Sequence, residues 1–316
     1  MKAIVLLGPQ RLKPTLLPAL RAAGAEGPLA AVTAGWEERE DEVERLEAHV
    51  GRPVLNLRLY RRAEDAMLSD WELAAAYRER RARLTELGEH FRARLVYHYN
   101  AARAMRRRKG TEEILGPERE DALHSLRAVD ERHFRRLEEI HGEFEERWRP
   151  AERKAVAAQR EGIRRVLDGC GAVALAGGNV AVLSNRMRLF GLGEMIGDRP
   201  VFAWSAGAMA AGERIVLFHD NPPQGPGIPE VFGAGLGLYP DLLPLPHAKK
   251  RLRLDNRRRV GLFADRFAPR ACVTLDEGEG CAFDGKRWTA AAGGARRLLP
   301  DGTLAGFPSP GGGPSP

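Results

Sequence analysis

The sequence predicts an α/β protein with a doubly wound, mostly parallel sheet and a long inserted helical hairpin. Three short apolar segments near its start, residues 3–7, 29–33 and 54–59, have the pattern of buried strands and alternate with helical segments. Strands that alternate with helices imply parallel pairing with right-handed crossovers. Strand patterns then stop near residue 64 and return only near residue 172, so the residues between them form a separate element.

That middle segment predicts two long amphipathic helices. Apolar residues recur mostly at three- and four-residue steps over residues 73–105, and a second stripe runs over residues 123–148. Gly110 falls between the two stripes. Two single-striped helices joined by a short turn are expected to pack as an antiparallel hairpin. We expect this hairpin, the helical arm, to replace an ordinary crossover helix.

Local signals predict where the helices and the larger units begin. Ser69 and Glu72 have the spacing of a capping box at the start of the first arm helix, and Pro117 is expected at the start of the second. After about residue 305 almost every residue is Gly, Pro or Ser, a composition that predicts disorder. The predicted units are residues 1–63 and 169–304 for the two halves of the α/β domain, 64–168 for the arm and 305–316 for a disordered tail.

Composition indicates a soluble globular protein. The chain has 316 residues, 43% of them hydrophobic and 29% charged, with a formal net charge of +7. Cys170, Cys272 and Cys281 show no paired metal-ligand spacing, which favours a reducing compartment and predicts neither a disulfide framework nor a metal site. No apolar segment approaches the roughly 20 residues that span a bilayer. We therefore expect a cytoplasmic protein that is not bound to a membrane.

The segment around Ser205 carries the strongest chemical signal. Residues 201–210, VFAWSAGAMA, pass from an apolar strand into a small-residue helix with no spacer. A serine at the tip of such a turn needs small residues two positions before and after it, and Ala203 and Gly207 meet that need. The turn exposes the hydroxyl and leaves the amide of Ala206 free to face an oxyanion. A plain strand-to-helix connection rich in small residues is the alternative.

A second glycine-rich turn is expected beside Ser205. Gly177, Gly178 and Asn179 directly follow the predicted strand at residues 172–176. Carboxyl ends of parallel strands meet at one edge of a sheet, so this turn and Ser205 should lie together. The amides of Gly178 and Ala206 would then form an oxyanion hole, although GGN alone also fits an ordinary turn.

Candidates for a general base follow the serine. Of the eight histidines in the sequence, two lie after Ser205: His219 and His247. His247 follows a segment rich in Gly and Pro, residues 233–246, which we interpret as a loop that returns to the sheet edge. Asp220, followed by two prolines two residues on, is placed to accept a hydrogen bond from the His247 ring. A surface or capping role is the alternative for each residue taken singly.

The order of these segments resembles the serine peptidase family of aspartyl dipeptidases and cyanophycinases. GGN after a strand is followed by WSAGA, an Asp-Pro-type segment, GLGLYP, a histidine, RLRLDNRRRVG and TLDEGEGCAF, over roughly residues 172–283. The resemblance implies a class I glutamine amidotransferase-like fold in which serine replaces the amidotransferase cysteine. By position it implies the site residues: Ser205 as nucleophile, His247 as its histidine, Asp220 as the acidic partner, and Gly178 and Ala206 as the oxyanion amides. Ala203 stands where the family usually has glycine, and Pro246 and Ala248 flank the histidine in place of a polar and an aromatic residue.

We therefore predict a serine-type peptidase that cleaves a peptide or isopeptide bond, with acidic (aspartyl) substrates as one option and with no metal or organic cofactor. The alternative is a non-catalytic binding or scaffold protein on the same fold, whose arm recognises a protein partner or a second copy of the chain. The setting of His247 and the length of the arm, about a hundred residues, motivate that alternative.

Three charged clusters admit other interpretations. The basic residues from Lys249 to Arg259 predict a solvated helix face from which one arginine could bind a substrate carboxylate. Arg106 to Lys109 at the arm turn have no interleaved aromatic residues, so nucleic-acid binding is disfavoured. Glu138 and His141 form a single Glu-x-x-His motif, whereas carboxylate-bridged di-metal bundles need two such motifs.

Overall fold

The computed structural model describes residues 3–220 and 227–307. Its strands are β1 (Ile4–Leu7), β2 (Leu29–Val32), β3 (Val54–Asn56), β4 (Ala172–Leu175), β5 (Val201–Trp204), β6 (Arg214–Leu217), β7 (Glu230–Ala234), β8 (Leu242–Pro246), β9 (Ala271–Leu275), β10 (Gly280–Phe283), β11 (Trp288–Ala292), β12 (Arg296–Leu298) and β13 (Leu304–Gly306).

Its α-helices are α1 (Leu16–Ala22), α2 (Glu44–Val50), α3 (Leu59–Ser69), α4 (Trp71–Met105), α5 (Glu112–Trp148), α6 (Lys154–Asp168), α7 (Val180–Leu189), α8 (Leu192–Met195), α9 (Ala206–Ala211), α10 (Ala248–Arg251) and α11 (Arg257–Phe267). Two short 3-10 helices, Ala34–Arg39 and Pro150–Glu152, complete the regular structure of the described residues.

The central sheet confirms the predicted fold class. Its seven strands have the order β11-β10-β1-β5-β4-β2-β3. The strands β1, β5, β4, β2 and β3 are parallel, β10 pairs antiparallel with β1, and β11 pairs antiparallel with β10. Alternate residues of these strands face two apolar clusters, one on each side of the sheet. Leu20 of α1 and Leu46 of α2 pack on one face, and Leu183 of α7 and Ala208 of α9 pack on the other. Both faces are therefore covered, as a parallel sheet requires.

A second sheet contains the strand that leads directly to residue 247. It has the order β13-β12-β9-β8, and β8 and β9 are parallel. The prediction of a loop over residues 233–246 is therefore wrong at its end, where β8 is a fully buried strand. Its sequence, LLPLP, contains Pro244 and Pro246, which donate no ladder hydrogen bond, and β8 accommodates them because it is an edge strand. Residue 247 follows β8 directly.

The helical arm is present as predicted, but its boundary signals differ. α4 and α5 run 35 and 37 residues and pack against each other. The predicted capping box is wrong: Ser69 belongs to α3, and the Asp70 side chain accepts the Leu73 amide at 3.0 Å. Pro117 lies inside α5, because the helix begins one and a half turns earlier at Glu112.

Salt bridges join the arm to the α/β body along its length. At its base, Arg153 Nη2 donates to Asp70 Oδ1 at 2.7 Å. Farther along, Asp130 of α5 pairs with Arg266 of α11 through two 2.7 Å hydrogen bonds, and both side chains are buried. Near the arm turn, Arg106 pairs with Asp265. The arm therefore lies against α11 instead of projecting freely.

The chain end departs from one predicted boundary. Ala305 and Gly306, the first residues of the predicted tail, are the last residues of β13, which pairs with β12. Residues 308–316 of that predicted tail lie outside the described residues. In the parts of the chain that the structure describes, no helix combines the length and apolarity needed to cross a membrane.

A buried histidine in the arm gives a testable stability effect. His133 is 3% exposed and stacks on Phe91 with ring centroids 3.8 Å apart. Burial is the main cause that lowers the pKa of His133 to about 4. The folded state therefore favours the neutral ring, and its stability falls as the pH drops below the unfolded value of about 6.5 towards 4. At pH 5 this histidine should cost about 2 kcal/mol of unfolding free energy.

We expect His133→Leu to reduce the difference in unfolding free energy between pH 7 and pH 5, measured by urea denaturation. His90→Gln is the matched control, since His90 is exposed on the same arm. An unchanged pH difference in His133→Leu, or an equal change in the control, would contradict this account.

Candidate active site

Ser205 occupies a strained turn between β5 and α9. Its φ and ψ are 52° and −123°, a conformation that non-glycine residues rarely adopt. It directly follows Trp204, the last residue of β5, and precedes Ala206, the first residue of α9. This is the backbone geometry that places a nucleophile at the tip of a strand-to-helix turn, and such strain concentrates at functional sites.

Close backbone packing explains the small residues around Ser205. A methyl group on Gly207 would overlap the main-chain carbonyl oxygens of Leu175 and Ala176 at the end of β4. A methyl group on Gly177 would lie 2.8 Å from Ser205 Cβ and 3.5 Å from Ser205 Oγ. The α9 start and the turn after β4 therefore contact each other without intervening side chains, as the sequence predicts.

The GGN turn lies at the same sheet edge as Ser205. β4 and β5 are parallel neighbours with Leu175 opposite Ala203, so both strands end there. Gly178 has a φ of 108°, and a side chain on it would overlap the backbone of Gly35. The Asn179 side chain caps α7, and the Asn179 backbone amide donates to Gly35 O at 2.7 Å.

Two amides near Ser205 are uncommitted. Within residues 3–220 and 227–307, neither the Gly178 nor the Ala206 amide donates a hydrogen bond to another group of the chain. Ala206 is the first residue of α9, where a helix always leaves its amides without an internal acceptor. These are the two amides predicted to bind an oxyanion.

His247 meets Ser205 across the sheet edge. The Nε2 atom of His247 lies 3.3 Å from Ser205 Oγ, within hydrogen-bonding distance. His247 follows β8 in a left-handed conformation with φ 57°, and its amide donates to Leu275 O at 3.1 Å. The structure thus brings together the predicted nucleophile and the predicted base, which are 42 residues apart in the chain.

The surroundings of His247 favour its neutral form. Burial lowers the pKa of His247 below its usual value, and the positive charges of Arg251 and Lys250 lower it further, while Glu277 opposes them. A neutral imidazole is the form that can accept a proton from a serine hydroxyl. The ring is therefore ready to act as a base at neutral pH.

The predicted hydrogen bond between Asp220 and the His247 ring is not formed. Asp220 is 1% exposed, and its carboxylate accepts from Arg259 Nε at 2.6 Å, from Arg259 Nη2 and from the Arg253 amide at 3.0 Å. Its own amide donates to Arg251 O at 2.6 Å. The guanidinium of Arg259, in α11, thus binds the Asp220 carboxylate that the sequence assigns to the His247 ring. Asp220 instead holds the backbone that follows His247.

A second carboxylate, that of Asp276, also binds the backbone just after His247. Asp276, directly after β9, accepts a hydrogen bond from the Lys249 amide at 3.0 Å. Sequence reasoning missed this role, although the run TLDEGEG follows a strand that ends beside β8. Glu37 was missed as well: it adopts φ 58° and ψ −124° and accepts from Asn179 Nδ2 at 3.0 Å.

The remaining candidate residues from the sequence have other contacts in the structure. His219 has interactions of its own, and its carbonyl oxygen accepts a hydrogen bond from the Gly227 amide at 3.0 Å. Glu138 accepts from Arg188 at 3.1 Å, and over the described residues no group of three or more His, Cys, Asp or Glu side chains is arranged to hold a metal ion. Arg251, half-buried beside His247, is the basic residue of the 249–259 cluster whose charge acts most on the ring.

Comparison with protein-family models gives no match, and comparison with curated proteins gives none. Among solved structures, the chain is similar to a peptidase from an acI-B1 actinobacterium, with 10% identity, coverage of 98% of this chain and 95% of that chain, and a TM-score of 0.48. It is also similar to a protein assigned as a peptidase E from Listeria monocytogenes, with 10% identity, coverage of 92% and 98%, and a TM-score of 0.44. Both neighbours are peptidases by their descriptions. Similarity at this level assigns no function, so the function rests on the geometry of the site.

The close packing of the turn gives a second prediction. Gly207→Ala should destabilise the protein by about 1–3 kcal/mol or more, because the added methyl group meets backbone oxygens that cannot move aside. Gly142→Ala is the matched control: Gly142 lies in α5 with open space around its Cβ position, so alanine there should be neutral or stabilising by up to about 1 kcal/mol. Urea unfolding of both variants measures the difference, and equal stabilities would contradict the packing argument.

Proposed function

We propose that the protein is a serine hydrolase that cleaves a peptide or isopeptide bond. One observation carries the proposal: the hydroxyl of a serine in a strained strand-to-helix turn lies 3.3 Å from the Nε2 atom of a half-buried histidine whose pKa is lowered. A nucleophile, a base and uncommitted amides at one sheet edge are the parts that acyl transfer needs.

The proposed reaction has two halves. His247 Nε2 takes the proton from Ser205 Oγ as the oxygen attacks the substrate carbonyl carbon. The negative charge that develops on the carbonyl oxygen is stabilised by the amides of Gly178 and Ala206. His247 then gives its proton to the leaving amine, which departs and leaves an acyl group on Ser205. A water molecule, deprotonated by His247, hydrolyses this ester and restores the serine.

Asp220 acts in this scheme as a positioning residue. Its contacts with Arg251 O, the Arg253 amide and the Arg259 side chain hold the residues that follow His247. The contact of Asp276 with the Lys249 amide does the same from the side of β9. The imidazole is therefore placed by two buried carboxylates that bind backbone, and Glu277 is the acidic residue whose charge raises the pKa of the ring.

Peptide chemistry and acidic substrates are the finer part of the proposal. The ordered motif set that resembles aspartyl dipeptidases and cyanophycinases supports a peptide or isopeptide bond. Arg251, close enough to lower the pKa of His247 by its charge, supports recognition of a substrate carboxylate.

Ser205→Ala tests the nucleophile. With a panel of aspartyl dipeptides and β-aspartyl isopeptides, we expect it to reduce kcat/KM by roughly 10⁴-fold or more while leaving the unfolding free energy nearly unchanged. Ser184→Ala is the matched control, since Ser184 lies half-buried on the neighbouring helix α7 and donates to the Ala181 carbonyl oxygen. Full activity of a folded Ser205→Ala protein would refute the proposal.

The pH profile tests the base. Because His247 must be neutral to accept a proton and its pKa is lowered, kcat/KM should fall on the acid side only below pH 6.5. Arg251→Gln removes a positive charge that disfavours the imidazolium, so it should move this acid limb to higher pH. The NMR titration of the His247 ring should move in the same direction.

Arg132→Gln, an exposed change on α5, serves as the control and should leave both titrations in place. An acid limb that lies above pH 6.5 in the wild type, or that stays fixed in Arg251→Gln, would contradict the assignment of His247.

A further inference from the structure

A strongly basic cavity lies between the end of α4 and the start of α11. Its volume is about 230 Å³, and Tyr99, Asn256 and Leu262 contribute to its walls. The rest of its lining is six arginine side chains: Arg103, Arg106, Arg107, Arg253, Arg258 and Arg259. Neither Ser205 nor His247 lines it, so the cavity is separate from the proposed catalytic pair.

Two of the six guanidinium groups are neutralised and four are not. Arg259 pairs with Asp220, and Arg106 pairs with Asp265. No ion pair joins any other described residue to the remaining four: Arg103, Arg107, Arg253 and Arg258. Among the described residues that line the cavity, none is acidic. An excess of about four positive charges therefore faces one small space.

The start of α11 adds to this positive potential. Arg257, Arg258 and Arg259 fill its first turn, which contains no acidic residue. The amino end of a helix carries a partial positive charge, so acidic residues are favoured there and basic ones are unfavourable. Arg259 is compensated by Asp220, whereas Arg258 forms no ion pair with a described residue, so its charge at this helix end costs electrostatic free energy that an anion bound in the cavity would offset. The placement differs from that at the α4 end, where cations are favoured by the dipole.

We infer that this cavity binds a small, multiply charged phosphate compound such as a diphosphate. A single carboxylate satisfies one guanidinium through a two-pronged contact. Four unpaired guanidiniums, two from α4 and the residues just after it and two from α11 and the residues just before it, match an anion with several charges and oxygens that point in several directions, as the terminal oxygens of a diphosphate do. The cavity is smaller than the roughly 300–1,000 Å³ typical of sites for drug-sized ligands, which favours a small anion.

The shape of the cavity disfavours a single-stranded nucleic acid. Strand binding combines a basic groove with aromatic faces on which bases stack. Tyr99, the aromatic residue among the described residues of this lining, is 4% exposed, and its hydroxyl accepts a hydrogen bond from Arg259 at 3.0 Å. Its ring therefore offers no free stacking surface.

Calorimetric titration of the full chain with inorganic pyrophosphate, without divalent metal and at fixed ionic strength, tests this inference. We expect one binding site per chain. The double variant R103Q/R258Q, which removes one unpaired arginine from each side, should raise Kd at least tenfold. The matched double variant R132Q/R135Q removes two exposed arginines of α5 outside the cavity and should bind as the wild type does.

The inference would be overturned if folded wild type did not bind pyrophosphate at millimolar concentration. It would also be overturned if R103Q/R258Q and R132Q/R135Q lost affinity equally, or if citrate bound as tightly as pyrophosphate. A 12-nucleotide single strand that binds more tightly than pyrophosphate and is weakened by R103Q/R258Q would make nucleic acid the ligand and also overturn it. Ser205→Ala should bind pyrophosphate as the wild type does, so this test is independent of the proposed hydrolase activity.

Discussion

The site depends on the direct contact of two backbone turns. The turn after β4 and the turn after β5 meet with no side chain between them, at Gly177 and Gly207. Ser205 lies at this contact with a positive φ, a backbone geometry that costs about 1–3 kcal/mol and that the surrounding structure must maintain. The same contact presents the hydroxyl and the first amide of α9 on one side. A rigid parallel sheet thus supplies the preorganisation that oxyanion stabilisation requires.

The imidazole reaches this turn from a different sheet. His247 follows an edge strand and is fixed by its own amide and by two carboxylates, one that binds the Lys249 amide within α10 and one that binds the Arg253 amide just after α10. Arg259 links this segment to the arm, since it pairs with Asp220 and also donates to the Tyr99 hydroxyl. The arm is therefore mechanically connected to the segment that carries the base. Its arginines and those of α11 then meet around the basic cavity.

The sequence predicted the elements whose signals are local. The parallel strands, the arm and the small residues at 203 and 207 follow from hydrophobic periodicity and from steric need, and the structure contains them. Sequence-based prediction failed where contacts between distant parts of the chain determine the structure. β8 looked like a loop because two prolines obscure an edge strand, and Asp220 looked like the partner of the imidazole because nothing in a linear sequence reveals that Arg259 would take it. The start of α4 was misplaced because Ser69 and Asp70, two residue types that cap helices, are adjacent. The start of α5 was misplaced because Pro117, a residue type common in a first helical turn, lies inside this helix.

The central claim is that His247 activates Ser205. The rate of covalent labelling by a fluorophosphonate, with the modified residue mapped by mass spectrometry, tests it most directly, since the reagent needs an activated serine but no knowledge of the substrate. We predict one label per chain at Ser205, much slower labelling in His247→Gln and none in Ser205→Ala. Folded wild-type protein that is not labelled, or that is labelled at Ser205 equally fast without His247, would contradict the account.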